Sequence, residues 1–163
     1  MNYHTNSEDV LDAPQNSLKS TSFSMNHKDN SSKIFNVMIV DDIEINLYLL
    51  GEIIGSLNSK LNIIKCISGM ESIEKFKLQK PDILLLDIHM PSLNGFETAK
   101  IIRNLEMKMN LPPTPIVALT ADNLIENVID DQSKLLFNDF ITKPIDFSKL
   151  SKCFNNYLSN TYD

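Results

Sequence analysis

DILLLDIHMPSLNG, residues 82–95, decides the fold. Ile83 to Leu86 is an unbroken aliphatic run, the pattern of a strand buried on both faces, and such strands belong to parallel sheets covered by helices. The run ends abruptly in a carboxylate, Asp87, and within a few positions come Pro91 and the Asn94-Gly95 pair, the chemistry of a turn that starts the next helix. An aspartate in that place is either a cap or turn residue or a reactive group at the working edge of a sheet. Its neighbours along the chain decide between the two.

The same unit recurs on both sides of this stretch. Ile34 to Val40 is strand-like and stops at Asp41-Asp42, after which Ile45, Leu49, Ile53 and Leu50, Ile54, Leu57 fall at helical spacing and predict a helix over residues 45–58. Gly51 and Gly55 lie within it, four residues apart, and read as points of close packing on a sheet. Ile63, Ile64, Cys66 and Ile67 form a second strand, and Ser68 with Glu71 stands in capping-box register ahead of Ile73 and Phe76. Beyond Asp87 the pattern predicts a helix from Phe96 to Arg103, with residues 104–114 as a helix end and proline-rich loop. A strand from Pro115 to Leu119 then ends at Thr120. Leu124, Ile125, Val128 and Ile129 predict a fourth helix, Asp139 to Thr142 a fifth strand ending at Lys143-Pro144, and Leu150, Phe154 and Leu158 a last helix. Strands alternating with helices in this way predict an α/β domain over residues 34–158, with five parallel strands and helices on both faces.

Composition narrows the function. Residues 1–33 are rich in Asn, Ser, Thr and Asp with apolar residues at no fixed period, so they are expected to be a disordered tail, as are residues 159–163. Lys plus Arg number 15 against 21 Asp plus Glu, a formal charge of −6, which argues against a surface for nucleic acid or anionic lipid. No apolar run approaches the ~20 residues that span a bilayer, and the first residues lack a signal-peptide pattern, so a cytoplasmic protein with no membrane partner is expected. Cys66 and Cys153 have no metal-type spacing and read as reduced core thiols. The glycines Gly51, Gly55, Gly69 and Gly95 make no Gly-rich turn for a dinucleotide.

In an open parallel sheet, functional groups gather beyond the carboxyl ends of the strands. Here those ends carry Asp41 and Asp42, Asp87, Thr120 and Lys143: three carboxylates, a hydroxyl and an ammonium. Three carboxylates together must bind a proton or a cation, and oxygen-only ligands favour Mg²⁺ or another hard ion that bridges to phosphate. Lys143 and Thr120 suit the oxygens of a phosphoryl group, and a carboxylate oxygen in line with phosphorus is a nucleophile.

With these residues the chain resembles the receiver domains of two-component response regulators. The stretches VMIVDDIEIN, DILLLDIHMPSLNGFE, PIVALTA and NDFITKPI carry the likeness, in the family's order and spacing, over roughly residues 34–158. The EIN that follows the acidic pair looks most like receivers of hybrid kinases and phosphorelays. The resemblance implies the flavodoxin-like receiver fold, with Asp87 as phosphoacceptor. It implies Mg²⁺ held by Asp42, Asp87 and the backbone carbonyl of His89, with Asp41 acting largely through a water. Lys143 would contact the phosphoryl group, Thr120 would reorient toward it, and Lys143-Pro144 would be a cis peptide. Phe140 occupies the place of the switch aromatic, and His89 borders the path of hydrolytic water.

Such a domain would be no enzyme in the ordinary sense. It would take its phosphoryl group from a sensor histidine kinase or histidine phosphotransfer protein, since His4, His27 and His89 lie in no helical setting suited to a donor. A stand-alone receiver is expected, signalling by onward phosphotransfer or through a target protein on the face of the fourth helix, fifth strand and fifth helix. Two rivals remain. A haloacid-dehalogenase phosphatase would place an acid two residues after its nucleophile, where this chain has His89, and its acidic pair after the nucleophile instead of before. A receiver-like binding module would work without phosphorylation.

Overall fold

Strands that are apolar on both faces need helices on both faces, and the computed structural model of the chain, which describes residues 33–121 and 130–158, has that arrangement. Strands β1 (Phe35–Val40), β2 (Leu61–Cys66), β3 (Ile83–Asp87), β4 (Ile116–Thr120) and β5 (Asp139–Thr142) form one parallel sheet in the order β2-β1-β3-β4-β5. Between and after them run α1 (Glu44–Leu57), α2 (Gly69–Leu78), α3 (Gly95–Lys108), the single turn α4 (Asp131–Lys134) and α5 (Phe147–Leu158). This is the flavodoxin-like order. The expected helix around Leu124, Ile125, Val128 and Ile129 lies outside the described residues, as do the expected tails apart from Lys33.

Period-two alternation divides the strands between two cores. Met38, Val40, Leu84, Leu86 and Ala118 pack with Phe76 of α2 and Ile102 of α3, whereas Val37, Ile39, Leu85 and Val117 pack with Ile54 of α1 and Leu150 and Phe154 of α5. All four residues from Ile83 to Leu86 have no solvent exposure. At about 1.5–3 kcal/mol for each fully buried aliphatic side chain, β3 is strongly held, as are β1 from Val37 to Val40 and β4 from Ile116 to Leu119, which are equally sealed from solvent.

Three local readings need correcting. Helix α3 runs to Lys108 instead of ending at Arg103, because Glu106 faces inward and is used. Its carboxylate receives the Thr114 backbone N–H at 2.6 Å and the Arg103 guanidinium at 2.8 Å, while the same guanidinium reaches the carbonyls of Thr114 and Leu136 and the side chain of Asn138. Second, Gly51 packs closely, since a Cβ there would lie 2.8 Å from the Lys65 side chain of β2, but Gly55 faces open space. Third, Ser68 caps α2 by accepting the Glu71 N–H, yet the Glu71 carboxylate accepts the N–H of Ile67, one residue before the position a capping box requires. The complete capping box belongs to α3, between Asn94 and Glu97.

Cys66 and Cys153 are buried and unpaired, and burial pushes each thiol up to about 12. The thiolate is therefore negligible at pH 8, and a disulfide reagent at that pH should label neither cysteine until the protein is unfolded. Arg103→Ala strands the Glu106 carboxylate, only 3% exposed, without its cation. Urea titration should show a loss of about 3 kcal/mol, and Arg103→Lys should recover only part of it because an ammonium lacks the planar fork.

Candidate functional site

The strand order builds the site. The chain steps outward from β1 to β2 and then returns to the opposite side of β1 as β3, so β1 and β3 are neighbours at the point where the direction of winding reverses. Val40 pairs with Leu86, and the next residue on each strand is an aspartate, which brings Asp41 and Asp87 side by side. Both are buried, at 2% and 4% exposure, while Asp42 stands more open beside them. One ligand oxygen from each of Asp41, Asp42 and Asp87 lies within 4.8 Å of the others.

Lys143 reaches the cluster from two strands away. Its backbone N–H binds the Thr120 carbonyl at 2.7 Å, which anchors it at the end of β4. Its Nζ then donates to Asp41 Oδ2 at 2.7 Å and Asp87 Oδ2 at 2.8 Å. The Lys143-Pro144 peptide is cis. Burial alone pulls the ammonium's pKa down, but its hydrogen bonds to the Asp41 and Asp87 carboxylates outweigh it and leave Lys143 above its ordinary value. Asp87 moves upward too, because burial, aided by the nearby Asp41 charge, exceeds the pull of Lys143 and the His89 N–H. A single ammonium thus faces two buried carboxylates and a third beside them, a donor set deficient in positive charge and made wholly of oxygen. Such a set fits a small hard cation, with Asp41, Asp42 and Asp87 as the groups able to hold it.

The remaining expected residues divide by distance from that cluster. Thr120 is fully buried at the end of β4, one residue beyond Leu119, the strand partner of Asp87. His89 is exposed, and only its backbone is engaged, donating to Asp87 Oδ1 at 3.1 Å. Phe140 is half-buried on β5, with its ring centroid 5.4 Å from that of Phe137. Phe137 in turn meets Phe96 edge-on at 5.4 Å, so an aromatic row connects β5 to the first turn of α3 beside the site. Neither Phe96 nor Phe137 carries a periodic signal that distinguishes it from an ordinary core aromatic. Asn46 escaped sequence reasoning as well, although it donates from Nδ2 to both oxygens of Asp41, at 2.9 and 3.1 Å. Its place four residues after Asp42, in the first turn of a helix that starts at the rim, is the signal that could have found it.

This geometry agrees with the comparisons to known proteins. Residues 37–155 match the model of the response regulator receiver domain. The chain belongs to that family. It is 30% identical over 139 residues to hybrid signal transduction histidine kinase L of Dictyostelium discoideum, covering 82% of this chain and 8% of that protein. It is 28% identical over 130 residues to the peroxide stress-activated histidine kinase mak1 of Schizosaccharomyces pombe, covering 78% and 8%. The receiver chain therefore spans less than a tenth of either relative's length. Among solved structures, the co-crystal of the Saccharomyces cerevisiae phosphotransfer protein Ypd1 with the receiver domain of Ssk1 matches at TM-score 0.69 and 30% identity, over 80% of this chain and 94% of that one. The receiver domain of the Pseudomonas aeruginosa sensor kinase PA1611, solved with magnesium in its cleft, matches at TM-score 0.63 and 23% identity, over 77% and 98%. A receiver domain is a signalling domain of two-component and phosphorelay systems, not a classical enzyme, and the phosphatase alternative falls away. No helix among the described residues is long and apolar enough to cross a membrane.

The turn after β3 depends on a glycine. A Cβ on Gly95 would collide with the Asp87 carbonyl oxygen and lie 2.8 Å from Ile88 Cα, where Gly95 N–H now binds the Ile88 carbonyl. Gly95→Ala should cost about 2 kcal/mol in urea unfolding and displace the backbone amide signals of Asp87 and Ile88.

Proposed function

We propose that the receiver accepts a phosphoryl group on Asp87 from a phosphohistidine of a partner kinase or phosphotransfer protein. The observation that carries this reading is the Lys143 ammonium held at 2.7 and 2.8 Å from two buried carboxylates in a cluster of three. A structural ion pair needs one carboxylate for one ammonium, whereas phosphoryl transfer needs a nucleophile, a cation site and a positive group to meet the new charge. The magnesium in the cleft of the PA1611 receiver and the phosphotransfer partner of the Ssk1 receiver support the same assignment.

In this mechanism Asp87 Oδ attacks phosphorus as the P–N bond to the donor imidazole breaks and the bonding pair leaves with the nitrogen. Asp42, Asp87 and the His89 carbonyl would hold Mg²⁺, with Asp41 acting through a water, and the bound ion would neutralise charge on the transferring oxygens. Lys143 turns from its carboxylates to a phosphoryl oxygen, and the Thr120 hydroxyl moves to another. Asp87 must be ionised to attack, so its upward shift makes the metal-free nucleophile less available as pH falls, and a cation or Lys143 keeps it charged.

The donor needs a surface next to the site. Ile43, Ile45, Tyr48 and Leu49 on and before α1 are about half exposed, and a groove of about 280 Å³ runs from Leu49 past Asn46 to Pro144 and Ile145. This apolar border offers the donor protein an interface from which its imidazole reaches Asp87. The output would travel through Phe140, whose contacts with Phe137 change when Thr120 moves, to a target binding the face of β5 and α5 together with the helix expected around Leu124, Ile125, Val128 and Ile129, which lies outside the described residues. With no hydroxyl, Phe140 signals by packing alone. A side chain at His89 would tune the approach of water to the acyl phosphate. Two buried, unpaired thiols fit a cytoplasmic setting.

Incubation with acetyl phosphate and Mg²⁺ should add one phosphoryl mass to the intact protein. The adduct should be absent from Asp87→Ala and form about a hundredfold more slowly in Lys143→Ala. Should the wild-type mass stay unchanged while beryllofluoride also leaves the Phe140 NMR signals unmoved, the chain acts as a binding module without phosphorylation.

A further inference from the structure

The Asp41 carboxylate is surrounded in a way that the acid cluster alone does not require. A carboxylate offers about four lone-pair sites, and Asp41 meets four donor contacts. Oδ1 accepts the Ile43 N–H at 2.9 Å and the Asn46 amide at 2.9 Å; Oδ2 accepts the Asn46 amide at 3.1 Å and Lys143 at 2.7 Å. Of these donors only Lys143 carries charge, and Lys143 alone is shared with Asp87. A cation entering the cluster repels an ammonium but has little effect on a neutral amide. The lysine contact is therefore the one that gives way, while the backbone of Ile43 and the side chain of Asn46 keep their hold. That leaves Asp41 pinned through Oδ1, with Oδ2 turned toward the space the ammonium vacated.

We propose that Asn46 is a positioning residue of the cation site, holding Asp41 so that its Oδ2 faces the incoming ion. The inference rests on the reading of the cluster as a Mg²⁺ site. Asn46 suits the role because it sits in the first turn of α1, half-buried, on a backbone fixed by the Asn46 N–H to the Ile43 carbonyl at 2.9 Å. It also lines the groove between α1 and the β5–α5 connection, so the same helix presents the apolar border outward and the amide inward. Partners of this kind, one bond removed from the metal, typically govern affinity by about 10–100-fold.

The test is a calorimetric titration of Mg²⁺ into the full chain, wild type and Asn46→Leu, with no phosphoryl donor present. Leucine keeps the branched outline of asparagine, though with more bulk, and removes both donors. Binding at least about tenfold weaker is expected, with the Mg²⁺ concentration for half-maximal adduct formation from acetyl phosphate raised by the same factor. The thermal midpoint of the metal-free protein separates this effect from general destabilisation. If the leucine variant does not fold, Asn46→Ser, which leaves room for a water, takes its place in the same titration. Unchanged Mg²⁺ affinity in a folded variant overturns the proposal, as does a slower maximal phosphorylation with unaltered half-saturation. Absence of Mg²⁺ binding to the wild type instead overturns the underlying reading of the cluster, which the two proteins side by side distinguish.

Discussion

One ammonium shared between two buried carboxylates is the constraint around which this fold is arranged. Removing charges from water is costly, and the cost is met only when each has partners in good geometry. Asp41 and Asp87 are supplied with those partners by three separate elements: the backbone turn at Ile43, the first turn of α1 at Asn46, and the β5–α5 connection at Lys143. The first two are local to the connection after β1, but Lys143 depends on the sheet being parallel and wound in the order β2-β1-β3-β4-β5. An order that separated β1 from β3 would part Asp41 from Asp87 and leave Lys143 unable to reach both.

The far half of the domain has a different solution to the same problem. Glu106 is also removed from solvent, but it has a backbone N–H and one arm of the half-buried Arg103 guanidinium, so its charge is balanced within the structure. Nothing further is called for there. At the rim the balance is incomplete: three carboxylates face one lysine, and burial, with the Asp41 charge added, holds Asp87 above its ordinary range. The contrast between a satisfied ion pair and an unsatisfied one separates structure from chemistry within a single domain.

Sequence alone carried the sheet and the rim residues because both leave signals in the local pattern. A strand buried on two faces reads as an aliphatic run, and an aspartate that ends it breaks that run visibly, as at Val40-Asp41 and Leu86-Asp87. Asn46 and Arg103 leave no such mark. Each is a polar residue on a helix: Arg103 finds Leu136 only through tertiary structure, and Asn46 meets Asp41, five residues back, only once the turn after β1 bends the helix over the rim. The extension of α3 to Lys108 was hidden for the same reason, since Glu106 in a charged segment reads as solvent-facing until Thr114 folds back onto it. Gly55 failed in the opposite direction: a motif-like spacing suggested a contact, and the helix turns that position to open space.

The same imbalance explains why a modification at Asp87 would be felt beyond the rim. Lys143 cannot satisfy Asp41, Asp87 and a phosphoryl group at once, so a group added to Asp87 takes the ammonium from Asp41. The β5–α5 connection that carries Lys143 follows directly from the strand holding Phe140, and Lys143 N–H is bonded to the carbonyl of Thr120. Moving the lysine side chain therefore acts on a segment already tied to Thr120 and Phe140, the two residues proposed as switch positions. Phe140 stands at the end of a row that begins with Phe96, one residue after the glycine packed on the Asp87 carbonyl. The proposed site thus reaches Phe140 from two sides, through the lysine connection and through the turn after β3. A change in charge at one carboxylate needs no longer path than these to alter packing on the outer strand.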